Sequence, residues 1–321
     1  MSSQIWTEKY RPQRFDDLVG QREIVSRVRA LVGKKTLPHC LFSGPAGVGK
    51  TTLALIVAKE LFGPSWKDNF LELNASDDRG INVVRNEIKD FARTMALANV
   101  PHKIIFLDEC DSLTKEAQQA LRRTMEQFSK TTRFILSCNY SSKLIDPIKS
   151  RCSLFRFKPL TKDDAKIIVG RICEKEQINV NENAFNLLYE FSAGDARKLG
   201  NLLQSCAAIT DKIDENIIGE MVEYATPKDV LNILDLSITG SFIEARKKLL
   251  DVMLNQGLSG LDIIKQIQQT ILVFEVEDDK KYRMIEKCAE IEFRMVEGSD
   301  EFVQLEALIA YFATLKNDVG R

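Results

Sequence analysis

The stretch 44-GPAGVGKT-51 sits between an apolar run, 39-HCLFS-43, and a segment with helical apolar spacing that begins near Lys50. Its glycines let the backbone curl so that successive N–H groups point inward, and the helix that follows adds the positive end of its dipole. A cup of this kind binds phosphate. Gly44, Pro45, Ala46, Gly47, Val48 and Gly49 supply its wall. Lys50 reaches toward outer phosphates, and the Thr51 hydroxyl stands where a phosphate-bound Mg²⁺ needs an oxygen ligand. The plain alternative is a Gly-rich turn with a surface lysine. With ordinary residue frequencies, G-x-x-x-x-G-K-[ST] arises by chance about 0.01 times in a chain of this length, so that alternative is weak.

From residue 39 to about 157, short apolar runs alternate with amphipathic segments. The runs 39-HCLFS-43, 69-NFLEL-73, 103-KIIFL-107, 132-TRFILSC-138 and 153-SLFRF-157 are each short enough for a strand. Helical patterns begin near Lys50, Asn82 and Lys115 between them. Strand, helix, strand at this spacing predicts a parallel sheet whose ligands lie at the carboxyl ends of the strands. After 159-PLTKDDA-165 the strand-like runs stop, and 162–176, 181–192 and 195–210 read as three helices. Thr226-Pro227 opens a further all-helical region, in which Val230, Leu231 and Leu234, then Leu249, Leu250 and Met253, then Ile263, Ile264, Ile267 and Ile271 recur at helical spacing. The expected architecture is therefore α/β in residues 1–160, a small helical lid domain in 161–226 and an all-helical domain in 227–321.

Composition narrows the class. Hydrophobic content of 44% and charged content of 28% are those of an ordinary globular protein. No apolar run reaches membrane-spanning length, and MSSQIWTEKYRP lacks the apolar core of a signal peptide, so an intracellular protein is expected. Seven cysteines without a CxxC pair read as reduced thiols, and two distant histidines argue against a His-based metal site. A net charge of −1 excludes a uniformly basic coat but leaves room for a local basic stripe.

Several residues gather around the expected phosphate cup. The run 104-IIFLDEC-110 ends an apolar strand with two acids: Asp108 is placed to hold the water shell of Mg²⁺ opposite Thr51, and Glu109 to polarise an attacking water. Two acids merely closing a strand are the alternative, disfavoured by the phosphate loop upstream. Asn139 follows 134-FILSC-138, where its amide can bond both the water and the terminal phosphate or simply begin a turn. Asn74 ends the second strand as a weaker candidate for holding Glu109 in an inactive pose. Arg151, in Ser150-Arg151-Cys152, and Arg197, in 194-GDAR-197, can serve transition-state charge or be surface arginines.

Taken in order, 7-TEKYRPQRFDDLVGQ-21, GPAGVGKTT, 74-NASDDRGI-81, 104-IIFLDECDSLT-114, 118-QQALRRTME-126, 136-LSCNY-140, 150-SRC-152 and 194-GDARKLGN-201 resemble the boxes of the AAA+ ATPases and, within them, the small-subunit family of the clamp loader replication factor C. The resemblance covers essentially the whole chain. It implies ATP and Mg²⁺ as cofactors, an ATPase core of Lys50, Thr51, Asp108 and Glu109, sensor roles for Asn139 and Arg197, and a nucleotide edge that includes Tyr10, Arg11, Val19 and Thr52. Arg151 resembles the arginine finger that acts in trans on a neighbour's ATP. The family further implies a five-membered ring with other clamp-loader subunits, among them a large subunit, that opens a sliding clamp around primer–template DNA. The compartment would be cytoplasm in an archaeon, the favoured expectation, or nucleus in a eukaryote. Cys110 departs from the small Ala or Val commoner at that position.

The residues also point toward nucleic acid. Arg79 precedes a helical pattern carrying Arg85 and Lys89, and Lys115, Gln118, Gln119 and Arg122 share one face of the next, opposite Leu113, Ala117, Leu121, Met125 and Phe128. A basic and amide stripe without aromatics suits backbone phosphates, and a solvated helix face fits the spacing equally well. An unfoldase would need an aromatic pore loop where this chain has 75-ASDDRG-80. A branch-migration helicase motor, the principal alternative, usually ends in a winged helix, for which the C-terminal region offers no strand hairpin.

Overall fold

The computed structural model describes residues 5–76, 87–94, 100, 102–221, 227–255 and 258–315. Two compact units divide the chain, Met1–Ile218 and Gly219–Arg321.

The first unit is built on five parallel strands: β1 (Cys40–Ser43), β2 (Phe70–Asn74), β3 (Lys103–Asp108), β4 (Thr132–Cys138) and β5 (Ser153–Arg156), in the order β2-β3-β4-β1-β5. Every one of the five apolar runs thus becomes a strand. Alternation along β3 explains why the sheet is covered on both faces. Ile104 and Phe106 point into one cluster, which includes Ile24, Val28, Leu53, Ile56 and Val57. Ile105 and Leu107 point into the other, with Ala117, Leu121 and Met125. Each such large side chain removed from water contributes about 1.5–3 kcal/mol, so a shift of register by one residue would exchange both cores at once.

Helices α1 (Arg22–Gly33) and α2 (Lys50–Phe62) cover the first face, and α3 (Lys115–Gln127) covers the second. α4 (Lys162–Glu176), α5 (Glu182–Ser192) and α6 (Ala196–Ala207) then follow with the boundaries that the cap residues dictate. Thr114, Thr161, Asn181 and Asp195 each accept a backbone N–H from the first turn of the helix they precede. Such caps stabilise a helix by about 0.5–2 kcal/mol.

Strand structure does not end at residue 159 as the sequence pattern predicts. Asn179–Val180 (β6) and Lys212–Ile213 (β7) form a small parallel pair that joins the start of α5 to the end of the α6 connection. Two residues per strand leave no periodicity for a sequence reading to detect. The helix expected near Asn82 falls mostly on residues outside the described set.

The second unit contains, among its described residues, five helices: α7 (Pro227–Ile238), α8 (Phe242–Asn255), α9 (Gly260–Val273), α10 (Asp278–Val296) and α11 (Glu301–Thr314). Their core holds Val230, Leu234, Leu249, Ile263, Ile264, Ile267 and Ile271, as the helical spacing predicts, together with Cys288, Ile291, Leu308 and Phe312. Leu231 is exposed at the surface of α7, and Leu250 and Met253 are only half-buried.

Candidate nucleotide-binding site

The carboxyl ends of β1, β3 and β4 lie side by side, with Ser43 opposite Cys138 and Leu107 opposite Leu136. This register gathers 44-GPAGVGKT-51, Asp108-Glu109 and Asn139 at one edge. Gly47 and Gly49 take φ values of 66° and 95°, a region that side chains other than glycine's resist, and Gly49 is the N-cap of α2. Lys50 is buried at the mouth of the loop. Its ammonium donates to the carbonyl oxygens of Gly44 at 2.6 Å and Pro45 at 2.7 Å, and to Asn139 Oδ1 at 3.0 Å. Burial lowers the Lys50 pKa, and the nearby Asp108 carboxylate opposes that shift.

Thr51 Oγ1 donates to Asp108 Oδ2 at 2.6 Å. A hydroxyl and a carboxylate in contact form a hard-oxygen pair that fits Mg²⁺, whose other ligands would be phosphate oxygens and water. Asp108 Oδ1 meanwhile accepts the Glu109 N–H at 3.0 Å. Glu109 itself has φ 52°, in the left-handed region, and its carbonyl accepts Ser112 N–H at 2.8 Å. That sharp turn takes the chain out of β3 and leaves the Glu109 side chain on the wall of the cavity.

The cavity has a volume of about 630 Å³, enough for a nucleotide, and lies wholly within the first unit. Tyr10, Arg11, Val19, Thr52 and Arg197 line it with the phosphate loop. The Tyr10 hydroxyl donates to Glu176 at the end of α4, and Lys9 pairs with the same carboxylate at 2.5 Å. Trp6 N–H donates to Gln204 Oε1 on α6 at 2.8 Å. The N-terminal segment is therefore held by the helices of residues 162–207. Sequence reasoning missed Glu176 and also Ile168, Arg171, Ile172 and Lys175, which line the cavity from one face of α4. Their three- and four-residue spacing was the available signal, but polar and apolar residues are mixed along it.

Other expected residues lie elsewhere. Arg151 does not line the cavity. Its guanidinium donates to the Pro147 carbonyl oxygen at 2.7 Å and pairs with Glu126, which also accepts from Arg122 Nε at 3.1 Å. Lys115 and Gln119 are exposed on α3, and Lys89 is half-buried. Arg79 and Arg85 fall outside the described residues. Gln118 requires a correction: it is buried rather than part of the exposed stripe, donating to Leu113 O and Lys143 O and accepting from Ile145 N–H. An amide that satisfies three backbone groups is stable in a core position that its polarity would otherwise disfavour. Asn74 stands beside Asp108 across β2 and β3, and its Oδ1 is taken by Ser76 N–H and Oγ. Cys110 is fully buried, and burial raises the pKa of its thiol.

A sheet of this order with a phosphate loop after β1 and an acid pair after β3 defines a AAA+ ATPase. Residues 40–160 accordingly match the ATPase family associated with various cellular activities (AAA), and residues 225–311 match the replication factor C C-terminal domain. The replication factor C small subunit of Archaeoglobus fulgidus is 48% identical over 97% of this chain and 98% of its own length. That of Methanococcus vannielii is 48% identical over 97% and 99%. The chain belongs to the replication factor C small-subunit family. Among solved structures, the Thermotoga maritima RuvB Holliday junction branch migration motor aligns with a TM-score of 0.57 over 77% of this chain and 88% of that one. At 19% identity this likeness is one of fold alone.

Proposed function

We propose that the chain is an ATP-hydrolysing subunit of a sliding-clamp loader. The observation that carries this reading is a division of the ATPase parts. Lys50, Thr51, Asp108, Glu109, Asn139 and Arg197 converge on one cavity, whereas Arg151 projects from a different part of the same unit, paired with Glu126. A complete hydrolytic site then needs a neighbour's Arg151.

The chemistry follows from the parts. Lys50 leaves its carbonyl partners for the outer phosphates of ATP, and the amide of Asn139 holds the terminal phosphate and the lytic water. Glu109 takes a proton from that water. Mg²⁺, held by Thr51 and by Asp108 through water, would neutralise phosphate charge. Arg197 in cis and Arg151 in trans stabilise the charge that develops on the transferring phosphoryl group, where such an arginine is worth about 10³–10⁵ in rate. Tyr10, Arg11 and Val19 border the base.

Because each ATP would lie between two subunits, its presence controls their packing. In the ring of five, with a large subunit and other small subunits, binding of ATP opens the sliding clamp, Lys89, Lys115, Gln119, Arg122 and the outlying Arg79 and Arg85 follow the phosphates of primer–template DNA, and hydrolysis releases the loader. Residues 1–160 then act as the motor, 161–226 as the lid and 227–321 as the collar. The archaeal source of the relatives agrees with a cytoplasmic setting. The branch-migration alternative rests on fold likeness alone. The test is ATP hydrolysis by the assembled complex with and without clamp and primed DNA, in the presence and absence of Mg²⁺. A rate that needs Mg²⁺ and rises severalfold only when clamp and DNA are both present is expected, and a rate indifferent to both would contradict the proposal.

A further inference from the structure

Arg197 meets the nucleotide cavity only as well as α6 is placed, and that placement runs through Asp195. Asp195 precedes α6 with an extended backbone, φ −87° and ψ 111°. Its Oδ1 accepts Arg197 N–H at 2.7 Å and Lys198 N–H at 3.0 Å. The intervening N–H, that of Ala196, turns away from its own helix and donates to the carbonyl oxygen of Gly47 at 3.0 Å, inside the phosphate loop.

The same carboxylate closes against Gly47. A Cβ added there would stand 1.7 Å from Asp195 Oδ1, so a side chain at this position would push the carboxylate off its cap, in addition to the strain of a φ of 66°. On the other side, the carbonyl of Gly194 accepts Leu160 N–H at 3.0 Å. Gly194 has φ 77°, and a Cβ on it would lie 2.8 Å from the backbone N and O of Leu160. The first turn of α6 is thus fixed to the phosphate loop on one side and to the end of the sheet domain on the other. Arg197, two residues beyond Asp195, lines the cavity, and its charge is felt at Lys50.

We propose that Asp195 is the positioning residue for Arg197: by capping α6 against Gly47, it sets the guanidinium where the phosphates of ATP arrive. An acid beside a phosphate cup would otherwise repel the nucleotide. Here its charge is spent on two helix N–H groups, and the cost of bringing phosphate near is reduced. The Ala196–Gly47 bond also means that any change in the loop on nucleotide binding is passed directly to the first turn of α6. This inference rests on the assignment of Arg197 to ATP in the proposed function.

The experiment compares steady-state ATP hydrolysis and the affinity for a fluorescent non-hydrolysable ATP analogue in complexes containing the parent chain, Asp195→Ala, Asp195→Asn, Arg197→Ala or the double variant Asp195→Ala with Arg197→Ala. Thermal unfolding of each chain is recorded alongside. Asp195→Ala is expected to weaken analogue binding and raise KM for ATP by about tenfold. Asp195→Asn, which keeps an acceptor for the cap, should stay within about twofold of the parent. The double variant should be no worse than Arg197→Ala alone, because Asp195 acts through that arginine. If Asp195→Ala costs as much in the Arg197→Ala background as in the parent, the positioning role is wrong and Asp195 supports the loop or the fold. If Arg197→Ala itself changes neither binding nor rate, the assignment of Arg197 to ATP fails first and the proposal falls with it.

Discussion

The Lys50 ammonium donates to Asn139 Oδ1 across 3.0 Å, joining the phosphate loop after β1 to the tip of β4. The two residues are far apart in sequence and are brought together because β4 is the direct neighbour of β1. In the proposed function Asn139 meets the outermost phosphate of ATP. Asn139→Ala should lower the hydrolysis rate by about 10²-fold, by loss of a preorganised polar contact, with a much smaller change in ATP affinity. Single-turnover hydrolysis and equilibrium binding, measured on the same preparation, check the two halves of that expectation.

Glu109, the general base of the proposed function, has a left-handed backbone at φ 52°. Its two roles separate by substitution. Glu109→Gln should bind ATP normally and hydrolyse it at least about 10²-fold more slowly, because an amide cannot take the proton that the proposed function assigns to this carboxylate. Glu109→Gly should be equally inactive yet no less stable to urea than the parent, since glycine relieves the conformational cost at this position. A large loss of stability in the glycine variant would show that the Glu109 side chain is also a structural contact.

Gln118 anchors the segment that follows β4 by binding Lys143 O and Ile145 N–H, and it ties both to Leu113 O. Gln118→Leu leaves those groups without their partner in a buried setting. Equilibrium urea unfolding should report a loss of about 1–3 kcal/mol, while Gln119→Leu, at an exposed neighbouring position, should change stability by less than about 0.5 kcal/mol.

The phosphate loop, the acid pair and the five strands were legible because glycine spacing and short apolar runs are local signals, and Ile104 to Leu107 form such a run, buried on both faces of the sheet. The starts of α4, α5 and α6 were legible to within a residue, where Thr161, Asn181 and Asp195 cap them. Gln118 was not, since helical spacing places it beside Gln119 and Arg122 and only the tertiary partners Lys143 and Ile145 show that it is buried. The Tyr10–Glu176 contact is likewise a long-range one that no local pattern encodes. Leu231 matched the apolar spacing of α7 but sits on its open side.

His39 gives the fold a pH dependence. Its Nδ1 accepts the Phe134 N–H at 3.0 Å, a bond that needs the unprotonated nitrogen, and burial pushes its pKa from 6.5 down to about 4, with Arg133 adding to the shift. A depressed folded pKa means that the unfolded chain binds the proton more tightly. The stabilisation is therefore complete above pH 6.5 and is lost as pH falls toward 4, at up to about 1.4 kcal/mol per pH unit. His102 behaves in the same sense, with a pKa also near 4. Urea unfolding of the parent and of His39→Gln between pH 7 and 4.5 should show the shallower decline in the variant. Parallel curves would mean that His39 titrates alike in the folded and unfolded states.

The central claim is that one chain's cavity is completed by Arg151 of another. The direct measurement is clamp- and DNA-stimulated ATP hydrolysis by Arg151→Ala, by Glu109→Gln, and by complexes in which the two variants are mixed during assembly with the partner subunits. Each variant alone should be nearly inactive, and mixed rings should recover activity where an intact Glu109 site faces an intact Arg151. Mixed rings that demonstrably form and remain inactive would contradict the claim, leaving Arg151 without its role in trans.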